Sequence, residues 1–163
     1  MIEIIILYIL NKYDCSIYRL SKIIDELFFA FQKTSAGTIN PALKRLENLS
    51  CVEYRENMSE GGMKTKIYSI TKAGKKHISS LLLNLEYSNP SRFLNDIKMA
   101  LFCSDILSKE ELKEFRENIL NLMDIYKIKL EKGLKNEYIQ LNELQRKTVE
   151  ITLKDINELI KNI

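Results

Sequence analysis

Residues 36–55 read AGTINPALKRLENLSCVEYR, an amphipathic helical pattern with a proline near its start and strand-like residues directly after its end. Ser35 or Thr38 can cap such a helix, which places Pro41 in or just beyond the first turn. A missing N–H costs little there, and the fixed φ of proline already suits a helix. The proline therefore predicts where a helix begins.

The predicted helix has an apolar side and a polar side. Its buried stripe, at helical spacing, consists of Ile39, Leu43, Leu46 and, at the end, Leu49. The opposite side is polar and rich in hydrogen-bond donors, and it holds Thr38, Asn40, Lys44, Arg45 and Glu47. The apolar side thus anchors the helix and turns the polar side outward.

Two segments precede this helix. Residues 17–27 place apolar side chains at spacings of three and four, which predicts an amphipathic helix capped by Asp14 or Ser16. Residues 2–10 are almost continuously apolar, so periodicity cannot separate a buried helix from a buried strand. That run carries Glu3, lacks a basic start and has about half the length that a membrane span requires. We expect a buried segment of a cytosolic protein.

Two strands and a further helix follow. CVEYRE at 51–56 and KIYSIT at 66–71 alternate as strands do, and the glycines at 61–62 suit the turn of a hairpin between them. Thr71 can cap a helix over about 72–86. The order helix, short loop, helix and two-stranded hairpin predicts a winged helix-turn-helix.

A head of this kind binds DNA when its second helix enters the major groove and offers donors to phosphates and base edges. The DNA contacts that we predict on that helix are Ser35, Thr38, Asn40, Lys44 and Arg45. Lys64 and Lys66 of the hairpin can lie along a neighbouring phosphate run. Residues 33–76 hold nine lysines and arginines against four acidic residues, although each cation also fits an ordinary solvated surface.

The rest of the chain is predicted to be helical. Asn89-Pro90-Ser91 interrupts the pattern and divides the chain into a head over residues 1–88 and a helical region over residues 91–163. Ser108 and Glu111 have the spacing of a capping box at the start of a long helix.

Two apolar stripes in the helical region predict dimerisation. They consist of Leu112, Phe115, Ile119 and Leu122 on one helix and of Val149, Leu153, Ile156 and Ile160 on another. These stripes can close onto their own domain or meet a second copy. Two such helices expose more apolar surface than so short a chain covers easily, which favours the dimer. Phe93, Phe102 and Tyr126 are expected in the core, with a ligand pocket as the alternative.

The sequence gives little indication of a catalytic site or a metal site. Cys15, Cys51 and Cys103 are far apart and His77 is the one histidine, so we expect no metal site and no cofactor. We expect no enzyme, since no nucleophile–base pair or phosphate-cradling glycine loop stands out. The thiols are expected to be buried, with redox sensing as the alternative.

Two further side chains have expected positions in the fold. Tyr18 is expected in the core and His77 on an exposed face.

GTINPALKRLE at 37–47 is very similar to the GTLYPALKRLE signature of the PadR family of transcriptional regulators. GGMKTKIYSITKAGKKHI at 61–78 resembles the wing and helix start of that family, and SIYRL at 16–20 falls where the family usually has HGYEL. The resemblance covers roughly residues 2–85, and the tail resembles the helical C-terminal region of longer members.

The resemblance implies a helix at 2–10 and a dimer that holds two recognition helices against a palindromic operator, usually as a repressor. Some members release DNA on binding phenolic acids or hydrophobic drugs. The chain departs from the family pattern in three places: Asn40 replaces a tyrosine, Ser50 replaces a helix-ending glycine, and Ser16-Ile17 replace His-Gly. Ser50 costs stability if its φ must be positive.

The sequence therefore predicts a mainly α fold with a small β-hairpin wing and a helical dimerisation region. The expected function is that of a cytoplasmic, homodimeric repressor that binds an inverted-repeat operator and is released by a small hydrophobic effector. The alternative is a winged-helix adaptor that binds another protein and no DNA, against which the basic segment 33–76 argues.

Overall fold

The structure is a computed structural model that describes residues 1–31, 35–58, 64–86, 89, 91–135 and 141–162 of the 163-residue chain. Its elements in chain order are α1 (Ile2–Lys12), β1 (Cys15–Ser16), α2 (Ile17–Leu27), α3 (Ala36–Asn48), β2 (Val52–Met58), β3 (Lys64–Ile70), α4 (Lys72–Leu83), α5 (Phe93–Phe102), a 3-10 turn (Ser104–Ile106), α6 (Lys109–Leu134) and α7 (Glu143–Asn162). The fold is mainly helical with a small antiparallel sheet, as predicted. No helix in the described ranges is long and apolar enough to cross a membrane.

The first helix, α1, is surrounded by other elements on most of its circumference. Its nearly inaccessible side chains are Ile4, Ile5, Ile6, Leu7, Ile9 and Leu10. The helix contacts α2, α3, α4 and β3. Being covered from several directions explains why its sequence is apolar without a clear helical period. The helix that the family resemblance implies for residues 2–10 is confirmed.

The sheet has three strands, one more than the sequence predicts. The strands β2 and β3 form the expected antiparallel hairpin, and β1 pairs with the other edge of β3, where Cys15 faces Tyr68. A strand of two residues is too short to show alternation in a sequence. Ser16 ends it and caps α2, its Oγ accepting the Arg19 N–H at 3.3 Å. The expected turn at 61–62 lies outside the described residues.

A Schellman motif around Ser50 ends α3. The N–H of Ser50 donates to the carbonyl of Glu47, and the N–H of Cys51 to the carbonyl of Leu46, both at 2.8 Å. The motif requires a left-handed residue, and Ser50 has a φ of 54°. The serine thus adopts the conformation for which the family pattern has a glycine, and the cost that the sequence predicts for it applies.

Thr71 connects the end of α3 to the start of α4. Its Oγ1 donates to the Ser50 carbonyl at 2.7 Å and accepts the Gly74 N–H at 3.0 Å, so Thr71 caps α4 as predicted. The helix ends at Leu83, a few residues before the predicted end. One threonine therefore fixes both the turn after α3 and the start of α4.

The longest helix of the helical region, α6, begins where the sequence predicts. Ser108 and Glu111 make both hydrogen bonds of the capping box that starts α6. Asn118 of α6 donates its side-chain N–H to the Leu83 carbonyl at 2.9 Å and so ties α6 to the end of α4.

One hydrophobic core extends through both halves of the chain. Its cluster of buried side chains runs from Ile4 in α1 to Ile156 in α7. The predicted division into domains at residues 1–88 and 91–163 stays a prediction, and the two regions share this core.

Candidate nucleic-acid interface

The recognition-helix candidate, α3, turns a polar side to solvent. Its buried stripe, at most 1% exposed, consists of Ile39, Ala42, Leu43 and Leu46. With about 100° between successive residues, Lys44 lies opposite that stripe together with Gly37, Pro41 and Asn48. Lys44 is exposed and joins no ion pair among the residues that the structure describes. Its ammonium group is available to a phosphate.

The N-terminal end of α3 offers small exposed polar groups. Ser35 is the N-cap residue, but its side chain makes no capping bond; its Oγ lies 3.4 Å from the Thr38 Oγ1. Thr38 and Asn40 are both exposed. Pro41 is the sixth residue of the helix, just beyond the first turn as predicted. Whether these groups touch DNA stays a prediction, and the geometry leaves them accessible.

Arg45 lies in a different environment from its neighbour in sequence. Its Nε donates to the Glu3 Oε1 of α1 at 2.7 Å, and the two side chains are 56% and 23% exposed. Arg45 is therefore on the flank of α3 that faces α1. A guanidinium group has five N–H donors, so this ion pair uses only part of its capacity.

The two lysines predicted on the wing are exposed and already have intramolecular contacts. The Lys64 Nζ lies 3.2 Å from the Glu56 Oε2. The Lys66 Nζ lies 3.7 Å above the centroid of the Tyr54 ring. Alternation along β3 puts both lysines on one face of the hairpin. A phosphate would compete with Glu56 for Lys64, while Lys66 forms no ion pair among the described residues.

Tyr18 is 81% exposed, so the expectation that it packs in the core is wrong. It precedes the buried Leu20 by two residues, which places it about 200° away around α2. That spacing is visible in the sequence and could have placed Tyr18 on the surface. Arg19 beside it is also exposed. These two side chains join the candidate interface, because the first helix of such a motif crosses the DNA backbone.

His77 is partly enclosed and the three cysteines are buried. His77 is half-buried, against the expectation of an exposed face, and its Nε2 is enclosed without a hydrogen-bond partner among the described residues. Burial raises the pKa of Cys103 to about 12 and that of Cys15 to about 11, and it also raises the pKa of Cys51. All three thiols are buried, as predicted. No described cluster of three His, Cys, Asp or Glu side chains could hold a metal ion.

The residues predicted for dimerisation divide into two groups. Phe115, Ile119 and Ile156 have no exposed surface within a single chain, so they close onto their own core and cannot form a contact surface. This corrects the prediction for those three, because spacing identifies an apolar face but not what covers it. The half-buried remainder consists of Leu112, Leu122, Val149, Leu153 and Ile160.

Four apolar side chains of the same helices are exposed instead. They are 44% to 74% exposed and consist of Ile125 and Ile128 on α6 and of Leu144 and Ile151 on α7. Of the aromatic residues expected in the core, Phe93 is buried and Tyr126 half-buried, whereas Phe102 is 43% exposed.

Comparison with known proteins finds one family model that matches the head and solved structures that align with up to 98% of the chain. Residues 6–80 match the transcriptional regulator PadR-like family. The crystal structure of Bacillus subtilis PadR in complex with operator DNA is 17% identical over 98% of this chain and 92% of its own, with a TM-score of 0.50. A PadR family transcription regulator from Clostridium difficile R20291 is 27% identical over 62% of this chain and 97% of its own, with a TM-score of 0.45. No curated protein matches the sequence.

Proposed function

Residues 6–80 form a domain of the PadR-like family of transcriptional regulators, and we propose on that premise that the chain is a homodimeric repressor that binds an inverted-repeat operator. The single observation that carries the proposal is the exposed side of α3, with Lys44 opposite the buried stripe. In the proposed complex this side lies in the major groove, where a helix fits and donors meet phosphates and base edges.

The contacts on α3 have different roles in the proposed complex. Thr38 and Asn40 near the N-terminal end of the helix read base edges, with Ser35 beside them. Lys44 binds a phosphate, and Arg45 can reach one from the flank of the helix. Phosphate contacts fix the register of the protein on the duplex, whereas base contacts choose the sequence.

Two further elements hold the backbone on either side of α3. Lys64 and Lys66 of the wing approach one phosphate run. Tyr18 and Arg19 at the start of α2 approach another, since they are exposed on the helix that precedes the recognition helix. Phosphate contacts release counterions from DNA, so binding weakens as salt concentration rises.

The dimer that we propose uses the apolar side chains that the single chain leaves exposed on α6 and α7. They include Ile128 at 53% and Leu144 at 74% exposure. Their burial between two copies is favourable and would position two heads on one duplex. Half-sites then lie about 34 Å apart or at a multiple of that distance.

Such a protein acts in the cytoplasm, where DNA is accessible, and we propose that a small effector with an apolar body regulates it.

A mobility-shift titration tests the proposal. The duplex is the region upstream of the protein's own gene, and a scrambled duplex of equal composition is the control. We expect retention that is specific for the upstream duplex, two protomers per duplex by sedimentation, and weaker retention at higher salt. A protein–protein adaptor would leave both duplexes unshifted even at low salt, and that result would refute the proposed function.

A further inference from the structure

The ammonium group of Lys66 on β3 lies against an aromatic ring of the neighbouring strand. Its Nζ is 3.7 Å from the centroid of the Tyr54 ring, within the distance of about 6 Å over which a cation and a ring attract each other. Hydrogen bonding to the Tyr54 side chain raises the pKa of Lys66, and the carboxylate of Glu47 on α3 adds to this rise. Lys66 is therefore a charged group of the wing that lies within electrostatic reach of the recognition-helix candidate.

Tyr54 is itself held in place by a buried side chain. Tyr54 on β2 pairs directly with Tyr68 on β3, and the two ring centroids lie 5.7 Å apart with an interplanar angle of 51°. Aromatic pairs at this distance attract each other. Tyr68 is only 4% exposed and belongs to the hydrophobic core, whereas Tyr54 is 45% exposed. The contacts from Tyr68 through Tyr54 to Lys66 thus connect the core with a cation on the surface.

The two lysines of the wing differ in the chemistry of their partners. The Lys64 Nζ lies 3.2 Å from a carboxylate oxygen of Glu56, which offsets its charge and must be displaced by an incoming phosphate. The Tyr54 ring carries no net charge and covers one side of the Lys66 ammonium group. An ammonium group has three N–H donors, and those on the open side of the exposed Lys66 stay available. The ring therefore restricts this lysine without neutralising it.

A lysine that is already restricted loses less conformational freedom when it binds a phosphate. Ordering a long, flexible side chain at an interface opposes binding, and a contact that orders the side chain beforehand reduces this opposition. We propose that Tyr54 is a positioning residue for DNA binding, which holds Lys66 toward the phosphate run beside α3 and makes it the stronger of the two wing contacts. The inference rests on the proposed function and gives a role in it to a residue that does not itself touch DNA.

Fluorescence anisotropy with the upstream duplex over a range of salt concentrations tests the role of Tyr54. We expect Tyr54→Leu to weaken binding by about 2- to 5-fold per protomer. The slope of log affinity against log salt concentration should stay that of the parent, because Lys66 still reaches its phosphate. Tyr54→Phe keeps the ring and is the matched control, so it should bind as the parent does. A Tyr54→Phe variant as weak as Tyr54→Leu would contradict a contact made by the ring.

Changes at the two lysines separate positioning from a general effect on the wing. Lys66→Ala should weaken binding more than Lys64→Ala and should lower the salt slope by about one per protomer. In the Lys66→Ala background, Tyr54→Leu should cause no further loss, because its effect passes through the lysine. Circular dichroism checks that each variant folds like the parent. The assignment is overturned if Tyr54→Leu binds as tightly as the parent or more tightly, if its loss persists without Lys66, or if Lys64→Ala is the weaker lysine variant.

Nuclear magnetic resonance without DNA tests the ring contact by itself. Protons that lie over the face of an aromatic ring are shifted upfield, so the Hε protons of Lys66 should resonate upfield of those of Lys64 in the parent. The shift should persist in Tyr54→Phe and vanish in Tyr54→Leu. No upfield shift in the parent would overturn the positioning role even if the protein binds DNA. A parent that never binds DNA would refute the proposed function and the role in binding together, and the proton shift would still decide whether Tyr54 holds Lys66.

Discussion

A Cβ atom on Gly74 would lie 2.1 Å from the carbonyl oxygen of Cys51, at the contact between the start of α4 and the turn after α3. Gly74→Ala must therefore move one of these backbones, and we expect the free energy of unfolding to fall by about 2 to 3 kcal/mol. Urea denaturation, monitored by circular dichroism, measures this free energy of unfolding. Gly133→Ala in α6 is the matched control: nothing lies within 4 Å of its Cβ, and helix propensity predicts a gain of up to about 1 kcal/mol. Equal effects of the two changes would contradict the close contact.

Ser50→Gly should stabilise the protein. Ser50 has a φ of 54°, and its main-chain bonds to Glu47 and Thr71 do not need its side chain. Removing the Cβ relieves the left-handed strain and should raise the free energy of unfolding by about 1 kcal/mol. Ser50→Ala keeps the Cβ and should bring no such gain in the same denaturation experiment. A Ser50→Gly variant that is no more stable than the parent would show that the turn tolerates serine without strain.

Ile128→Glu should separate the proposed dimer into folded monomers. Ile128 is 53% exposed on the outer side of α6. A charge at this position disrupts the proposed apolar dimer surface and leaves the core of the chain intact. Leu27→Glu, at 51% exposure on α2, is the matched control and should remain dimeric. Sedimentation distinguishes the two states, and circular dichroism checks that the helices persist. A dimeric Ile128→Glu variant would place the interface elsewhere.

Ile156→Glu should act on folding rather than on assembly. Ile156 has no exposed surface, so an unpaired carboxylate at that position would be buried. We expect a loss of about 3 kcal/mol or more in the free energy of unfolding. A variant with the parent's denaturation midpoint but altered sedimentation would restore Ile156 to the dimer surface.

The three thiols should react only when the chain unfolds. Burial raises the pKa of Cys103 from 9.0 to about 12, so this thiol keeps its proton far above neutral pH. An aromatic disulfide reagent at pH 8 should label the native protein slowly and all three cysteines after urea is added. The unfolded chain loses these protons at lower pH than the folded one, so stability should fall as pH rises above about 9. Fast labelling of the native protein would support a redox-sensing thiol.

Local signals in the sequence predicted most of the head and the start of α6. The position of Pro41 in its helix, the caps at Ser16, Thr71 and Ser108 and the alternation of the hairpin depend on residues within a few positions of each other, so they can be read without the fold. The left-handed turn at Ser50 followed from comparison with the family pattern.

The features that the sequence did not reveal depend on distant partners. Glu3 and Arg45 are separated by 42 positions, and only the packing of α1 against α3 brings them together. Periodicity likewise marked the apolar face of α6 but could not tell that Phe115 and Ile119 close onto their own chain. The strand β1 is formed by two residues and exists because β3 offers a free edge.

The central claim is that the outward side of α3 binds DNA, and Lys44 tests it most directly. The measurement is the slope of log affinity against log salt concentration on the upstream duplex for the parent, for Lys44→Ala and for Lys154→Ala, an exposed lysine of α7 that serves as control. We expect Lys44→Ala to bind more weakly with a slope smaller by about one per protomer, and Lys154→Ala to match the parent. If Lys44→Ala binds as tightly as the parent with the same slope, this side of α3 does not contact DNA.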